Sequence, residues 1–177
     1  ISLMWHSIGY DVYVLIYQLF MEHILDQEGL LYGLRIMLGD DGKNWNCTKL
    51  ITYLATNSCA GNKLGLKDQA QEYSGNYAMD EIKDIRKIPL PDLLQYNLVD
   101  GLSTWYVYNK HWKTLVADKQ LSVYKDLFQP SMVDIIQMQL TGMPVNMKRV
   151  LEVEQLLLAD EDAAIKTIRS TNVVKQY

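Results

Sequence analysis

Apolar residues recur along much of this chain with the 3.6-residue period of the α-helix. The strongest such stretch covers residues 10–21, and Asp11 near its start suits a buried helix with an acid in its first turn. Residues 2–6 are short and apolar, which fits either the end of a strand or a loop. Between residues 22 and 46 the pattern is mixed, so it fits a strand or a helix before a turn at residues 39–42.

Three further helices are predicted in the middle of the chain. Two short ones cover residues 48–55 and 66–73, and Pro91 is well placed in the first turn of a third, longer helix. Tyr96 and Asp100 lie on one side of this longer helix. Another side is apolar and carries Leu94, Leu98, Leu102 and Trp105.

The last part of the chain predicts two more helices. A polar, hinge-like stretch follows Trp112, and residues 128–140 then form a new apolar-periodic segment. Gly142 and Pro144 make a strong helix stop, and Asn146 is suited to cap a long final helix. The apolar stripe of that helix consists of Val150, Leu151, Val153, Leu157 and Leu158.

Composition narrows the function classes only a little. The chain has 177 residues and a net charge of −4, which argues against a generic basic nucleic-acid coat but not against a nuclease with an acidic metal site. Cys47 and Cys59 form no CxxC pair, so we expect a reduced, cytoplasmic compartment, in the host cell if the source is viral. We expect no membrane partner, because neither a spanning segment nor a signal peptide is recognised. The chain starts without Met and stops in mid-pattern, so we expect it to be part of something longer.

Tyr96 and Asp100 are the most informative pair of residues. Side chains four apart lie on the same helix face, so the phenol and the carboxylate would project into one site. A carboxylate can hold a divalent cation, and a phenol beside it can orient a water molecule, which metal-dependent phosphodiester hydrolysis requires. The alternatives stay open: Tyr96 as an ordinary half-buried aromatic, and Asp11 as an acid favoured by the helix dipole.

Three segments resemble, in the same order, motifs of the 3′–5′ proofreading exonucleases that precede family-A DNA polymerases. Residues 6–11, His-Ser-Ile-Gly-Tyr-Asp, are similar to the second motif, which is an Asn, two or three further residues, and then Phe/Tyr-Asp. Residues 96–100, with Thr104 four positions on, resemble the third motif, Tyr-x-x-x-Asp. Residues 140–146 look like the opening of the polymerase domain. The resemblance covers nearly the whole chain except residues 22–46 and is most like the phage branch of the family.

This resemblance implies a site in which carboxylates hold two Mg²⁺ or Mn²⁺ ions. The ions promote hydrolysis of the phosphodiester bond at the 3′ end of single-stranded DNA. Asp100 matches the acid that binds the ion nearest the attacking water. Tyr96 matches the phenol that orients this water, and Asp11 matches the acid that holds the other ion. The catalytic residues implied are therefore Asp11, Tyr96 and Asp100, and the metal ligands are Asp11 and Asp100.

The family's first motif, a strand with Asp-x-Glu, has no counterpart here. No acidic residue precedes Asp11, and Asp40 and Asp41 follow the second motif in a predicted turn. Two of the family's four carboxylates are therefore missing, and His6 or Ser7 stands where the family prefers Asn. Two ions would then lack the negative charge that offsets their desolvation, so we expect the isolated chain to be inactive, with weak or absent metal binding.

The resemblance also implies a fold. Residues 1–120 would be the C-terminal part of a truncated RNase H-like exonuclease domain, and residues 121–177 the start of the polymerase domain, with thumb-type helices. Because the early strands of this α/β parent fold are absent, we expect a mostly α structure whose exposed core favours self-association. Two alternatives remain: a non-enzymatic helical interaction module, and a stand-alone exonuclease, which residues 141–177 argue against.

Other residues that invite a function have simpler interpretations. The aromatic run at residues 105–108 could stack on unpaired bases but has a spacing more typical of a core. His6 is more typical of a structural or surface residue than of a ligand, and His23 and His111 have no partners at ligand spacing. The acids at residues 160–162 fit an exposed helix surface, and so do the scattered lysines, Lys110, Lys113 and Lys119.

Overall fold

The computed structural model describes residues 2–56, 61–75 and 85–171. Within them the chain is mostly helical, with two short strands, as the sequence predicts. A 3₁₀ turn at Ile85–Lys87 and a π-helical segment at Val123–Phe128 complete the regular structure of these residues. In chain order the strands and α-helices are β1 (Leu3–Trp5), α1 (Ile8–Phe20), α2 (Gln27–Leu38), β2 (Trp45–Cys47), α3 (Thr48–Thr56), α4 (Leu66–Ser74), α5 (Leu90–Ala117), α6 (Gln129–Thr141) and α7 (Met147–Ser170).

The structure resolves the ambiguous region and corrects one prediction. Residues 27–38 form α2, whose N-cap Asp26 accepts a hydrogen bond from the backbone N–H of Gly29 at 2.9 Å. The hinge-like stretch predicted after Trp112 begins later than expected, because α5 continues to Ala117 before the chain turns at residues 118–120. The last turns of α5 remain helical since Leu115 is fully buried against Ile51 and its neighbours.

The two strands form a parallel ladder in which Leu3 pairs with Trp45 and Trp5 pairs with Cys47. Parallel strands need a long crossover, which α1 and α2 provide here. The first hydrophobic core lies between this crossover, β2 and α6. Its fully buried side chains include Ile8, Val12, Ile16, Leu30, Leu38, Trp45 and Ile136.

A second core joins α3, α5 and the π-helical segment around Ile51, Leu115 and Tyr124. Tyr124 connects it to β2, because its buried hydroxyl accepts a hydrogen bond from the backbone N–H of Cys47 at 2.9 Å. Gln129 makes a similar connection by donating to the carbonyl of Trp45 at 2.6 Å. These buried polar bonds fix residues 124–129 against the strand pair.

The chain divides into two compact units, residues 1–141 and residues 142–177. The domain boundary predicted near residue 120 lies inside the first unit, because α6 packs on α1 and α2. The second unit contains α7, and Asn146 caps this helix as predicted by accepting from the N–H of Arg149 at 3.1 Å. Every described side chain of α7 is exposed, including its apolar stripe.

Cys47 is a buried free thiol, whereas Cys59 lies outside the described residues. Among the helices that the structure describes, none is both long and apolar enough to cross a membrane.

Candidate active site

The side chains of Asp11, Tyr96 and Asp100 line one open pocket of about 550 Å³ in the first unit. Asp11 is 85 or more positions away from the other two along the chain. The sequence-predicted site residues therefore lie together. The remaining lining residues come from the end of β1, the start of α4 and the next turn of α5: Met4, Trp5, His6, Gly65, Leu66, Lys67, Asp68 and Thr104.

The first wall of the pocket is the connection from β1 to α1. Ser7 occupies this connection with a φ of 68°, a left-handed conformation that is uncommon for a residue with a side chain. The sharp turn brings the first turn of α1, and with it Asp11, back towards the end of β1. Burial raises the pKa of the half-buried Asp11 carboxyl, because its charged form loses contact with water.

His6 is the most strongly perturbed group of the pocket. Its Nδ1 lies 2.8 Å from the hydroxyl oxygen of Thr48, and its ring also contacts the backbone of Leu64. Burial, with a smaller effect of the nearby positive charge of Lys49, lowers the pKa of His6 to about 4, although the negative charge of Asp100 acts in the opposite direction. At neutral pH His6 is therefore a neutral hydrogen-bonding group. Its contact with Thr48 fits the structural role that the sequence favours for this residue, and it also lines the pocket.

The second wall is one face of α5. Tyr96, Asp100 and Thr104 follow one another in steps of four and all line the pocket, as their helical spacing predicts. The hydroxyl of Thr104 donates to the backbone carbonyl of Asp100 at 2.9 Å, so its proton is used within the helix. Tyr96 and Asp100 are both half-buried.

The third wall is the first turn of α4, which places Lys67 beside Tyr96. The Lys67 ammonium donates a hydrogen bond to the Tyr96 hydroxyl oxygen and lies 4.9 Å from the centre of its ring. Asp68 also lines the pocket and pairs with the exposed Lys63 at 3.5 Å. Sequence reasoning missed Lys67, because 29 positions separate it from Tyr96 and no local pattern connects them.

Polar contacts hold α4 on α5. The Ser103 hydroxyl donates to that of Ser74 at 3.2 Å, and Nε2 of the buried His111 lies 2.8 Å from Oε1 of Gln69. Tyr106 donates a hydrogen bond to the Glu72 carboxylate. These contacts give His111 a structural partner and fix the helix that carries Lys67.

Asp40, Asp41 and the aromatic run at residues 105–108 do not line the pocket. Asp40 and Asp41 are exposed in the turn after α2, and Asp40 pairs with Arg35 at 3.7 Å. Trp105 is 58% exposed and stacks on Tyr108, which is half-buried. The core expected at residues 105–108 is thus formed only in part, by Val107, which is fully buried.

The metal-binding capacity of the pocket is limited. In the part of the chain that the structure describes, no three His, Cys, Asp or Glu side chains come close enough together to hold a metal ion. Asp11 and Asp100 remain the two candidate ligands, and His6 and Asp68 also line the pocket, on its first and third walls. Comparisons with models of known protein families, with curated proteins and with solved structures found no match.

Proposed function

We propose that this pocket is part of a 3′–5′ exonuclease site of the proofreading type, and that the chain is a fragment of a phage-like family-A DNA polymerase. The observation that carries the proposal is that Asp11, Tyr96 and Asp100 line one pocket. These residues stand in two motifs that resemble those of the exonucleases. Two unrelated motif matches would be expected to lie on different surfaces.

The chemistry follows from the residue types. Asp100 would hold the cation that activates the attacking water, and Asp11 would hold the cation that stabilises the leaving oxygen. The phenol of Tyr96, on the same helix face as Asp100, would orient the water. Burial raises the pKa of Asp11, and a bound cation would lower this pKa again because it stabilises the carboxylate.

The parent fold belongs to the same proposal. The parallel pair β1–β2 with flanking helices would be the remnant of an RNase H-like sheet, and residues 121–177 would begin the polymerase domain. The single-stranded 3′ end of DNA would enter the pocket, where Met4, Trp5 and Leu66 offer apolar contacts to a base. Lys49 and Lys63, both exposed near the pocket, would contact phosphates.

Two carboxylates provide too little negative charge to hold two divalent ions, so we expect the isolated chain to bind one cation weakly and to hydrolyse DNA poorly or not at all. Cation binding is the sharper test. Tb³⁺ binds oxygen ligands, and nearby aromatic rings such as those of Trp5 and Tyr96 sensitise its luminescence. We expect Tb³⁺ to bind with sensitised luminescence, and Mn²⁺ to displace the bound Tb³⁺. Asp11→Asn and Asp100→Asn should each weaken Tb³⁺ binding about tenfold or more.

The matched control is Asp134→Asn, which removes an exposed acid on α6 outside the pocket. It should leave Tb³⁺ affinity unchanged. Equal affinities for all these variants would contradict the proposal. A second assay measures degradation of single-stranded DNA from the 3′ end with Mg²⁺ or Mn²⁺. Robust activity that Asp100→Ala abolishes would support the exonuclease site but would overturn the expectation that the isolated chain is inactive.

A non-enzymatic helical interaction module is the second candidate, and one observation favours it. Four leucines and a tryptophan form an apolar stripe along the outer side of α5, and each is 46–65% exposed: Leu90, Leu94, Leu98, Leu102 and Trp105. Contiguous exposed apolar surface is typical of interaction sites. Light scattering at high protein concentration tests self-association, and a monomer would count against it. The DNA that flanks the coding region discriminates the candidates, because an upstream Asp-x-Glu strand and a downstream palm sequence are expected only of the polymerase.

A further inference from the structure

The second unit contains an open groove of about 840 Å³ along the first part of α7. Residues 144–146, which precede the helix, also line this groove. Its apolar side chains recur at spacings of one to four positions and are each 38–62% exposed: Met147, Val150, Leu151, Val153, Leu157 and Leu158. Amphipathic helices are stabilised mainly by packing of their apolar face, so this face is suited to a partner.

Two carboxylates lie within this apolar face. Glu154 has apolar residues three and four positions away on both sides: Val150, Leu151, Leu157 and Leu158. Glu161 follows seven positions later and also lines the groove. In the described residues 142–171, Arg149 pairs with Glu152 at 2.9 Å, whereas Glu154 and Glu161 make no hydrogen bond or ion pair.

These acids select among the partners that would cover the groove. A purely apolar partner would remove water from two unpaired carboxylates, which is strongly unfavourable. A second copy of α7 would bring two more glutamates to the same face and add repulsion between like charges. A helix with lysines or arginines beside its apolar residues would cover the leucines and also pair with the carboxylates, because long basic side chains reach past an apolar contact.

We propose that the groove on α7 binds a basic amphipathic helix of a partner protein. The apolar residues of the partner pack on Leu157 and Leu158, and its lysines or arginines pair with Glu154 and Glu161. The two glutamates are two helical turns apart, about 10 Å, so the basic residues of the partner should also recur about every seven positions. This site lies outside the pocket of the first unit and goes beyond the exonuclease proposal.

A fluorescein-labelled model peptide tests the charge of the partner. The probe is an amphipathic helix of about 18 residues with leucines on one face and lysines beside them, and a comparison peptide has glutamates instead of lysines. Anisotropy titrations with the full chain should show at least about tenfold tighter binding of the lysine peptide. Glu154→Lys combined with Glu161→Lys should reverse this preference.

The matched control for charge combines Glu152→Lys with Asp160→Lys. It makes the same change in net charge at two exposed positions of α7 that do not line the groove. This variant should still prefer the lysine peptide. The proposal is overturned if the preference survives charge reversal at Glu154 and Glu161, or if the control reverses it equally.

Two adjacent leucines test whether the groove is the binding surface. Leu156 and Leu157 are 60% and 62% exposed, but of the two only Leu157 lines the groove. Asparagine should lower helix propensity equally at both positions, which far-UV circular dichroism checks. We expect Leu157→Asn to weaken binding of the lysine peptide about tenfold, and Leu156→Asn to change it less than about twofold. Equal effects, or no binding of the lysine peptide, would contradict the proposal.

Light scattering distinguishes this partner from a second copy of the chain. A monomer that binds the lysine peptide supports the proposal. A dimer that Leu157→Asn dissociates and Leu156→Asn preserves would assign the groove to a second copy and overturn it. Neither assay uses DNA or a cation, so failure here leaves the proposed exonuclease site standing, and failure of that site leaves the groove standing.

Discussion

His6 makes the stability of the first unit depend on pH in a way that can be calculated. Burial lowers its pKa to about 4 in the folded protein, from an ordinary value of 6.5. As the pH falls below 6.5, the unfolded chain binds a proton that the folded chain does not, so protonation stabilises the unfolded state. Lowering the pH from 7 to 5 should therefore cost about 2 kcal/mol of unfolding free energy.

The perturbation is His6→Asn. The amide keeps a hydrogen-bonding group beside the Thr48 hydroxyl but does not titrate, so the variant should lose much less stability between pH 7 and pH 5 than the wild type. Other groups contribute to the change in unfolding free energy on acidification. Burial lowers the pKa of His111, which reduces stability at low pH as His6 does, and raises the pKa of Asp11, which has the opposite effect. The difference between wild type and variant isolates His6, because these contributions occur in both proteins.

Urea unfolding followed by tryptophan fluorescence is the assay, because all four tryptophans precede residue 113 and report only on the first unit. His23→Asn, which removes an exposed imidazole, is the control and should retain the wild-type loss at pH 5. The reasoning is refuted if His6→Asn loses as much stability on acidification as the wild type. That result would mean that His6 is accessible to protons in the folded state.

Four further substitutions test stability. Tyr124→Phe leaves the buried N–H of Cys47 without its acceptor and should lower the unfolding free energy by about 1–3 kcal/mol in urea; an unchanged value would contradict this. Gly33→Ala would place a methyl group 2.9 Å from side chains of α1 and should cost about 1–3 kcal/mol. Gly101→Ala meets no neighbour within 4 Å and should stabilise α5 by about 0.5–1 kcal/mol, so equal effects of the two alanines would refute the packing argument. Asn146→Ala removes the N-cap of α7 and should destabilise this helix by about 1 kcal/mol. We expect lower helicity in far-UV circular dichroism, whereas the unfolding transition followed by tryptophan fluorescence should stay unchanged.

Helix ends are the features that sequence predicts well here, because their signals act within a few residues. Pro91 stands in the first turn of α5, and Asn146 caps α7. Gly75 and Gly142 follow the ends of α4 and α6 with positive φ, the conformation that glycine adopts without a steric penalty. Each signal depends on backbone geometry or on a side chain near the terminus.

Features decided by tertiary packing were not predictable in the same way. The pattern of residues 30–38 fits a strand as well as a helix, and packing of Leu30, Leu34 and Leu38 against α1 and β2 selects the helix. The break expected after Trp112 begins only after Ala117, because the burial of Leu115 cannot be read from the polar residues around it. Local patterns therefore identified most helices but not which of their faces are covered.

The candidate site combines both kinds of information. Helical spacing alone places Tyr96 and Asp100 on one face, but Asp11 entered the prediction only through the resemblance of two motifs. Its position depends on the parallel register, in which Trp5 pairs with Cys47 so that His6 lies beside Thr48 and the chain turns into α1. A shift of one residue in this ladder would move His6 and Asp11 out of the pocket.

The pocket is lined by residues of helices that pack in different cores of the first unit. Asp11 is carried by α1, whose buried face belongs to the first core, whereas Tyr96 and Asp100 are carried by α5, which packs in the second. A cation shared by Asp11 and Asp100 would therefore connect the two cores, and its binding energy would stabilise their arrangement against local opening. Loss of either core would separate the carboxylates, even with each helix intact. The proposed chemistry thus depends on tertiary packing that no single helix can provide.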